Sequence, residues 1–256
     1  MIVRATLLAI ASLTACAPAF AVCDKTLSIS SSDYPPYVYK NQDGKWSGLD
    51  VELMQAIFKE AGCAYKFAPL VAPKRMVEMV SSGKTDIMLA ASESAERSRA
   101  NRFGLAYRNE TVSLVGLAGK VDALRGIATF DALRQAGARL LIPNAGWYGQ
   151  DYASALPALR EAGLTVEFTY LDQGIRMLAI GRARLIMSDT PALFAAAKKE
   201  GVAIEALPFV VTSAPVHMMF SKASVSEHDV RQLNEATARL EKKGALQTIR
   251  SAYGLP

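Results

Sequence analysis

Beyond its first 21 residues, the sequence has no apolar run of the roughly 20 residues that a membrane-spanning helix needs. It also has no cluster of lysine and arginine. The 29 basic and 24 acidic residues are scattered along 256 positions, for a net charge of +5. A nucleic-acid-binding or membrane-binding surface needs a concentrated basic patch. We therefore expect no nucleic-acid partner, and we attribute the scattered charge to solubility.

Signatures of catalysis are also missing from the sequence. It has two histidines, no Gly-x-Ser-x-Gly segment, no glycine-rich phosphate loop and no metal-ligand spacing of Cys, His, Asp or Glu. His217 falls in an apolar run and His228 at a predicted helix start, so both are poor candidates for acid–base chemistry. The sequence therefore predicts no catalytic residue, no metal and no cofactor.

The amino-terminal segment is typical of an export signal. Arg4 precedes an apolar stretch at 5–13, and Ala-Phe-Ala at 19–21 fits the small-x-small cleavage pattern. We predict a signal peptide over residues 1–21, cleaved after Ala21, and a periplasmic mature protein. The alternative is that Leu-Thr-Ala-Cys at 13–16 is a lipobox, which would anchor a lipoprotein through Cys16.

Cysteine is scarce: the chain has three, and two of them, Cys23 and Cys63, remain after the predicted cleavage. An even pair in an exported protein indicates a disulfide. Each cysteine precedes a predicted strand, at 26–30 and 65–68, and parallel neighbouring strands would place both cysteines at one sheet edge. Closing this loop would stabilise the fold by about 3–4 kcal/mol if the bond acts through chain entropy.

Short apolar runs alternate with helical patterns along the chain. The predicted strands of a first unit lie at 26–30, 65–68 and 86–91. Those of a second unit lie at 139–142, 165–170 and 185–187. This β-α-β alternation predicts mostly parallel sheets with helices on their faces.

The last predicted helices, 227–241 and 245–253, come without strands of their own, so we expect them to pack on the first sheet. The chain would then cross between two lobes twice, near 110–117 and 208–215, and two crossovers make a hinge. We predict an α/β fold of two mostly parallel sheets. Lobe 1 would comprise residues 22–113 plus 213–256, and lobe 2 residues 114–212.

Three loops follow predicted strand ends, which is where open α/β sheets bind ligands. The first contains Ser92 and Arg97, and a guanidinium presents a planar fork of donors that matches a carboxylate. The spacing alone favours a helix start capped by Ser94. Both interpretations can hold together, because a helix N-terminus itself attracts anions.

The other two loops offer aromatic rings and a carboxylate. One, at 144–148, combines a glycine with two aromatic residues, and the other contains Asp189. We predict a site for a zwitterion whose carboxylate meets Arg97 and whose ammonium meets Asp189. The apolar stem of the ligand would lie against aromatic rings, namely Tyr34, Trp147 or Tyr148. Taken singly, Asp189 also fits a helix N-cap, and the rings also fit ordinary packing.

Several short motifs occur together in this chain. They are DYPPY at 33–37, GKWSGLDVEL at 44–53, SGKTD at 82–86, AER at 95–97, GR at 181–182 and SD at 188–189. Together they resemble the bacterial extracellular solute-binding proteins of family 3, the periplasmic receptors of polar amino-acid ABC transporters. The resemblance implies a type II periplasmic-binding-protein-like fold that closes on an amino acid or small carboxylate. It also implies an inner-membrane ABC permease as partner, and we expect a monomer.

The resemblance also implies roles for individual residues. In this family the arginine of the Glu-Arg motif holds the ligand α-carboxylate, which falls on Arg97, and a hydroxyl five residues earlier assists, which falls on Ser92. The acidic residue after the late strand takes the ammonium group, which falls on Asp189. An aromatic residue of the first loop covers the ligand side chain, which falls on Tyr34. The glycine-containing loop of lobe 2 falls on Asn144, Gly146, Trp147 and Tyr148.

The chain departs from the family pattern at several positions. Trp147 and Tyr148 stand where the family places hydroxyl residues, which narrows the pocket. Ser-Ala at 94–95 replaces Thr-Pro, and Arg184 replaces an aspartate. Arg75, at the start of a predicted helix, either lines the cleft and suits a second carboxylate or is a solvated surface cation.

These observations favour a non-enzymatic binding protein that closes on a small polar ligand. One alternative is a periplasmic dehydratase on the same fold that acts on prephenate-like acids. It would need a general acid or base, for which Glu93 or Asp189 are candidates. The other alternative is a ligand-sensing partner of a membrane receptor.

Overall fold

The computed structural model describes residues 23–255. The predicted signal peptide, its cleavage after Ala21 and the alternative anchor Cys16 lie outside these residues. Within the described part of the chain, no helix combines the length and the hydropathy needed to cross a bilayer.

The elements follow the alternation that the sequence predicts. The strands are β1 (Leu27–Ser30), β2 (Tyr39–Lys40), β3 (Trp46–Ser47), β4 (Tyr65–Phe67), β5 (Ile87–Ala91), β6 (Asn101–Leu117), β7 (Leu140–Pro143), β8 (Thr165–Phe168), β9 (Leu185–Asp189) and β10 (Ile204–Ser221). The helices are α1 (Leu49–Ala61), α2 (Pro73–Ser81), α3 (Ala95–Ala100), α4 (Phe130–Gln135), α5 (Gln150–Glu161), α6 (Leu171–Ala179), α7 (Thr190–Glu200), α8 (Glu227–Lys242) and α9 (Ala245–Ala252).

Two long strands join the lobes. The sheet order is β4-β1-β5-β10-β6-β9-β7-β8. The parallel group β4-β1-β5 forms lobe 1 and the parallel group β9-β7-β8 forms lobe 2. Between them β6 and β10 pair antiparallel, from Asn101 opposite Ser221 to Leu117 opposite Ile204. The expectation of two separate sheets is therefore corrected: the predicted crossovers lie within two continuous strands, which hydrogen-bond the two parallel groups into one sheet.

The pairing of β6 with β10 changes register on both sides of its middle. Its register shifts between Ala206 and Val210, again between Val210 and Thr212, and twice more between Val216 and Met219. Each such irregularity disrupts the ladder locally and bends the strand. The shifts flank the stretch between the two parallel groups, where Thr212 to Val216 pair in constant register with Val112 to Arg108.

Lobe 2 buries both faces of its sheet. Leu140 and Ile142 contact one apolar cluster, whereas Leu141 between them contacts another on the opposite face. Neighbouring β9 repeats the division, with Met187 on one side and Ile186 on the other. Because side chains alternate along a strand, an unbroken apolar run is what a sheet covered by helices on both faces requires.

The carboxy-terminal helices pack on lobe 1, as predicted. Leu233 of α8 and Leu246 of α9 are fully buried in the same cluster as Ile57 of α1. This cluster also contains Cys23 and Cys63, which form the predicted disulfide across 40 positions of sequence. The two cysteines precede β1 and β4, and the parallel pairing of these strands brings the cysteines together.

The start of α1 depends on a glycine. Gly48 has a φ of +114°, and a Cβ at this position would lie 2.4 Å from the backbone oxygen of Tyr37. A larger residue would therefore push the helix away from the loop that carries Tyr37. This close approach sets Asp50, in the first turn of α1, beside the central strands.

Asp50 and Arg108 form a completely buried ion pair. The Arg108 Nε lies 2.5 Å from Asp50 Oδ1, and its Nη2 lies 3.0 Å from Oδ2, so the contact is bidentate. The guanidinium also stacks on the Tyr37 ring at 3.8 Å from its centroid. Burial opposes the charge on Arg108, but Asp50 outweighs it and raises the guanidinium pKa above its usual range. The pair fixes α1 to β6 at the centre of the molecule.

Asp50→Ala should lower the free energy of unfolding by about 3–5 kcal/mol, because it leaves the Arg108 charge buried without a partner. Urea titration followed by circular dichroism measures this change. Asp131→Ala is the matched control, since Asp131 is 83% exposed and pairs loosely with Arg134. That control should unfold almost as the unmodified protein does. Equal effects of the two substitutions would contradict a central role for the buried pair.

Candidate functional site

A cleft lies between the two lobes, at the carboxyl ends of the parallel strands. Its cavity volume is about 130 Å³. Lobe 1 contributes the loops after β1 and β5 and the start of α2, and lobe 2 contributes the loops after β7 and β8. Segments that are far apart in sequence therefore meet at one place, as the strand topology predicts.

The structure brings most of the predicted site residues together. Those that line the cleft are Tyr34, Ser92, Arg97, Asn144, Gly146, Trp147 and Tyr148. The two others, Arg75 and Asp189, do not line it. The candidate residues therefore divide into seven in the cleft wall and two outside it.

Arg97 belongs to a capped helix start and to the cleft at once. Its backbone N–H donates to the Ser94 Oγ at 3.3 Å, so Ser94 caps α3. Its Nη1 donates to the Ser92 carbonyl at 2.8 Å, which holds the side chain against the loop. Burial lowers the pKa of the guanidinium, which nevertheless stays charged at neutral pH. Within the described residues this is the one hydrogen bond of the guanidinium, so its other donors are available to a ligand.

The lobe 2 loop is shaped by a glycine under an aromatic ring. Gly146 has a φ of +134°, and a Cβ there would lie 2.3 Å from the Tyr148 hydroxyl oxygen. Only glycine therefore lets the ring fold back, and the Tyr148 hydroxyl donates to the Ala145 carbonyl at 3.0 Å. Burial raises the pKa of the Tyr148 phenol, so the ring is a neutral wall. Asn144 ties this loop to the next one through its amide, which donates to the Thr169 Oγ1 at 3.0 Å.

Asp189 lies behind the cleft wall. Its side chain is fully buried, and its Oδ1 accepts from the Tyr37 hydroxyl at 2.8 Å and from the Ala192 N–H at 3.0 Å. The second contact is an N-cap for α7, which is the structural alternative that the sequence left open. The first joins lobe 2 to lobe 1. In this conformation the Asp189 carboxylate does not line the cleft, although its neighbour Ser188 does.

Arg75 is a surface residue in this conformation. Its side chain is 53% exposed and its Nη1 lies 3.2 Å from the Glu78 carboxylate, one turn along α2. Its helix neighbours Pro73, Met76 and Val77 line the cleft instead. The structure shows the solvated-cation alternative for Arg75.

Glu110 lines the cleft but was not among the predicted site residues. It lies on β6 opposite Ala214 of β10, between the two parallel groups, and is 9% exposed. Burial, followed by the nearby charge of Asp189, raises the pKa of its carboxyl group to about 7, while Arg108 opposes this rise. The sequence did carry a signal for Glu110. It is an acidic residue within a stretch that is predicted to cross between the lobes and to be buried.

Two buried serines at the end of β1 were also missed. Ser30 and Ser31 line the cleft, and within the described residues neither Oγ has a hydrogen-bond partner. Buried hydroxyls are normally paired. Their free Oγ atoms can therefore bond to a polar group of a ligand.

The cluster best suited to a metal ion lies outside the cleft. Asp24, His228 and Asp229 bring their ligand atoms within 4.8 Å of one another. Much of their geometry follows from packing at the start of α8, where Ser226 donates to the Asp24 carboxylate at 2.7 Å and caps the helix. The Asp24 N–H donates to the Asp229 Oδ1 at 2.9 Å.

The overall fold matches several solved structures. An ancestral arginine-binding protein bound to arginine is similar with a TM-score of 0.75 at 21% identity, covering 89% of this chain and 97% of that one. A histidine kinase sensor domain with similarity to periplasmic binding proteins gives a TM-score of 0.74 at 21% identity, covering 89% and 95%. An ancestral amino-acid-binding protein, a precursor of cyclohexadienyl dehydratase, gives 0.68 at 19%, covering 89% and 94%. At these identities the similarity establishes the two-lobed fold.

Sequence comparison finds one similar curated protein and one family. The curated protein is the cyclohexadienyl dehydratase of Pseudomonas aeruginosa, 23% identical over 163 residues, which are 62% of this chain. The match spans 57% of the length of that relative. The family match is far more extensive and runs over residues 28–256. The chain belongs to the bacterial extracellular solute-binding proteins, family 3.

Proposed function

We propose that this protein captures an amino acid or a related small carboxylate in the periplasm and delivers it to an inner-membrane ABC permease without changing it. The observation that carries the proposal is the Arg97 guanidinium. Among residues 23–255 it is held by one backbone contact, which leaves its remaining donors free in a cleft between two lobes. A guanidinium in such a place binds a carboxylate by charge-assisted hydrogen bonds.

The geometry of the lobes supports capture by closure. β6 and β10 both cross between the lobes, and their register shifts lie on either side of the crossing stretch, one of them beside the lobe boundaries that we propose near residues 113 and 212. Bringing the lobes together excludes water, which strengthens a contact between Arg97 and a carboxylate. The hydrogen bond between Tyr37 and Asp189 closes the lobes on one side of the cleft.

A periplasmic location is supported by two features. The family is extracellular, and the bond between Cys23 and Cys63 belongs in an oxidising compartment. The proposal includes cleavage after Ala21, with a lipid anchor at Cys16 as the alternative. It also includes a monomeric protein that meets the permease through the two lobes.

Arg97→Ala should weaken binding by at least about 100-fold, because a buried carboxylate would lose its charged partner. A thermal-shift screen across amino acids and small carboxylates first identifies a ligand, since binding at 100 times Kd stabilises the native state by about 2.7 kcal/mol. Calorimetry then gives the affinities of the unmodified protein and the variant.

Arg75→Ala is the matched control for this experiment. It removes a guanidinium from the same lobe, but one that is exposed and paired with Glu78. Its affinity should equal that of the unmodified protein. Unchanged affinity in Arg97→Ala would remove Arg97 from the site.

A dehydratase is the second candidate function, and Glu110 is the observation that favours it. A carboxyl group with a pKa of about 7 is partly protonated at neutral pH and is suited to donate a proton beside Arg97. The partial match to cyclohexadienyl dehydratase points the same way. The other candidates fit less well, because Glu93 is exposed and Asp189 is fully buried and does not line the cleft.

Incubation with prephenate or arogenate separates the two functions. We expect no more aromatised product than in a protein-free sample, because the proposed protein binds without reaction. Absorbance and mass spectrometry measure the product. Product formation that disappears in Glu110→Gln would establish the dehydratase instead. Product that persists in this variant would assign the proton transfer to another group, for which Glu93 and Asp189 are the candidates.

A further inference from the structure

Three charged side chains line the cleft, and two of them lie well inside it. Asp33 is exposed, whereas Glu110 is buried and Arg97 is half-buried. Within the described residues, Arg97 and Glu110 form no ion pair with each other or with another side chain. A guanidinium and a carboxyl group held apart in a water-poor cleft are complementary to a ligand that carries both charges.

We infer that Glu110, and not Asp189, receives the ammonium group of the ligand, and that the protein selects apolar α-amino acids. This inference rests on the proposed binding function. Glu110 borders the cavity directly, whereas Asp189 does not line it and its Oδ1 accepts hydrogen bonds from Tyr37 and Ala192. The Asp189 carboxylate then acts at a distance, by adding negative potential behind the ammonium position.

The walls of the cleft specify the side chain of the ligand. Met76 and Val77 of lobe 1 and Trp147 and Phe168 of lobe 2 line the cavity, and all four are apolar. Within the described residues that line the cleft, Arg97 is the one cation, because Arg75 points to solvent. A second carboxylate on the ligand would therefore be buried without a partner, which disfavours acidic amino acids and other dicarboxylates.

Binding of an ammonium group should depend on pH through Glu110. The groups around its carboxyl are the cations Arg97 and Arg108, the carboxylates Asp50 and Asp189, and the neutral phenols of the cleft wall, Tyr34 and Tyr148. With a pKa of about 7 in the free protein, Glu110 is ionised above that pH and protonated below it. Only the ionised form attracts the ammonium group. Affinity should therefore fall about tenfold between about pH 8 and about pH 6.

The test compares amino acids with the same acids lacking the ammonium group. L-leucine is paired with 4-methylpentanoate, and L-phenylalanine with 3-phenylpropanoate, in calorimetric titrations at several pH values. For the unmodified protein we expect the amino acid of a pair to bind at least about 100-fold more tightly than its partner. Arg97→Ala should lose both compounds.

The variant Glu110→Gln tests whether Glu110 receives the ammonium group. It keeps the shape of the side chain and removes the charge, so it should bind the amino acid at least about 30-fold more weakly. It should also bind the ammonium-free acid as well as before and lose the pH dependence. Glu93→Gln is the matched control, because Glu93 is exposed and outside the cleft lining, and it should change none of these. Melting temperatures of the variants verify that each is folded.

The outcomes separate the inference from the function on which it rests. If Glu110→Gln keeps full affinity and the pH dependence, or if the ammonium-free acid binds as well as the amino acid, the inference is overturned while carboxylate binding at Arg97 stands. If a dicarboxylate binds best, the selectivity for apolar amino acids is overturned. If neither these compounds nor any amino acid or small carboxylate in the screen binds, the proposed function fails as well.

Discussion

The buried pair between Asp50 and Arg108 is the constraint on which the geometry of the site depends. It fixes α1 against β6, and the stacked Tyr37 ring extends the contact to Asp189 of the other lobe. Two buried charges that have no contact with water are tolerated only while they remain paired with each other. A shift of β6 by one residue would break the pair and turn Glu110, two positions further on, away from the cleft.

The same arrangement explains why Glu110 is hard to ionise. Arg108 is the cation nearest along the strand, but its charge is matched by Asp50, so it cannot fully offset the burial of Glu110. The nearby carboxylate of Asp189 adds a second negative charge. The cleft therefore combines a charged guanidinium with a carboxyl group that is only partly ionised at neutral pH, and a cationic group on a ligand would complete the ionisation.

The sequence predicted the parts of this protein that depend on local patterns. Short apolar runs that alternate with helical patterns predicted the order of elements, and the predicted strand adjacency supported the bond between Cys23 and Cys63. It did not predict that β6 and β10 are continuous, because their pairing joins residues about 100 positions apart. Nor could it orient Arg75 and Asp189, since spacing places a residue at a strand or helix end but does not say which neighbour covers it. Glu110 was missed because an acidic residue in an alternating strand indicates a solvent-facing side chain. In the structure, both lobes cover this side chain.

The two lobes contribute different groups to the cleft, because different elements hold each group in place. The proposed carboxylate anchor depends on a helix start in lobe 1, where Ser94 and the Ser92 carbonyl fix Arg97. The groups that would contact the rest of a ligand come from the hinge strand and from the loop that Gly146 shapes in lobe 2. In lobe 2 the Tyr148 ring, folded over Gly146, adds apolar surface to the cleft wall. Because this surface belongs to lobe 2 and Arg97 to lobe 1, one ligand can contact both only when the lobes meet.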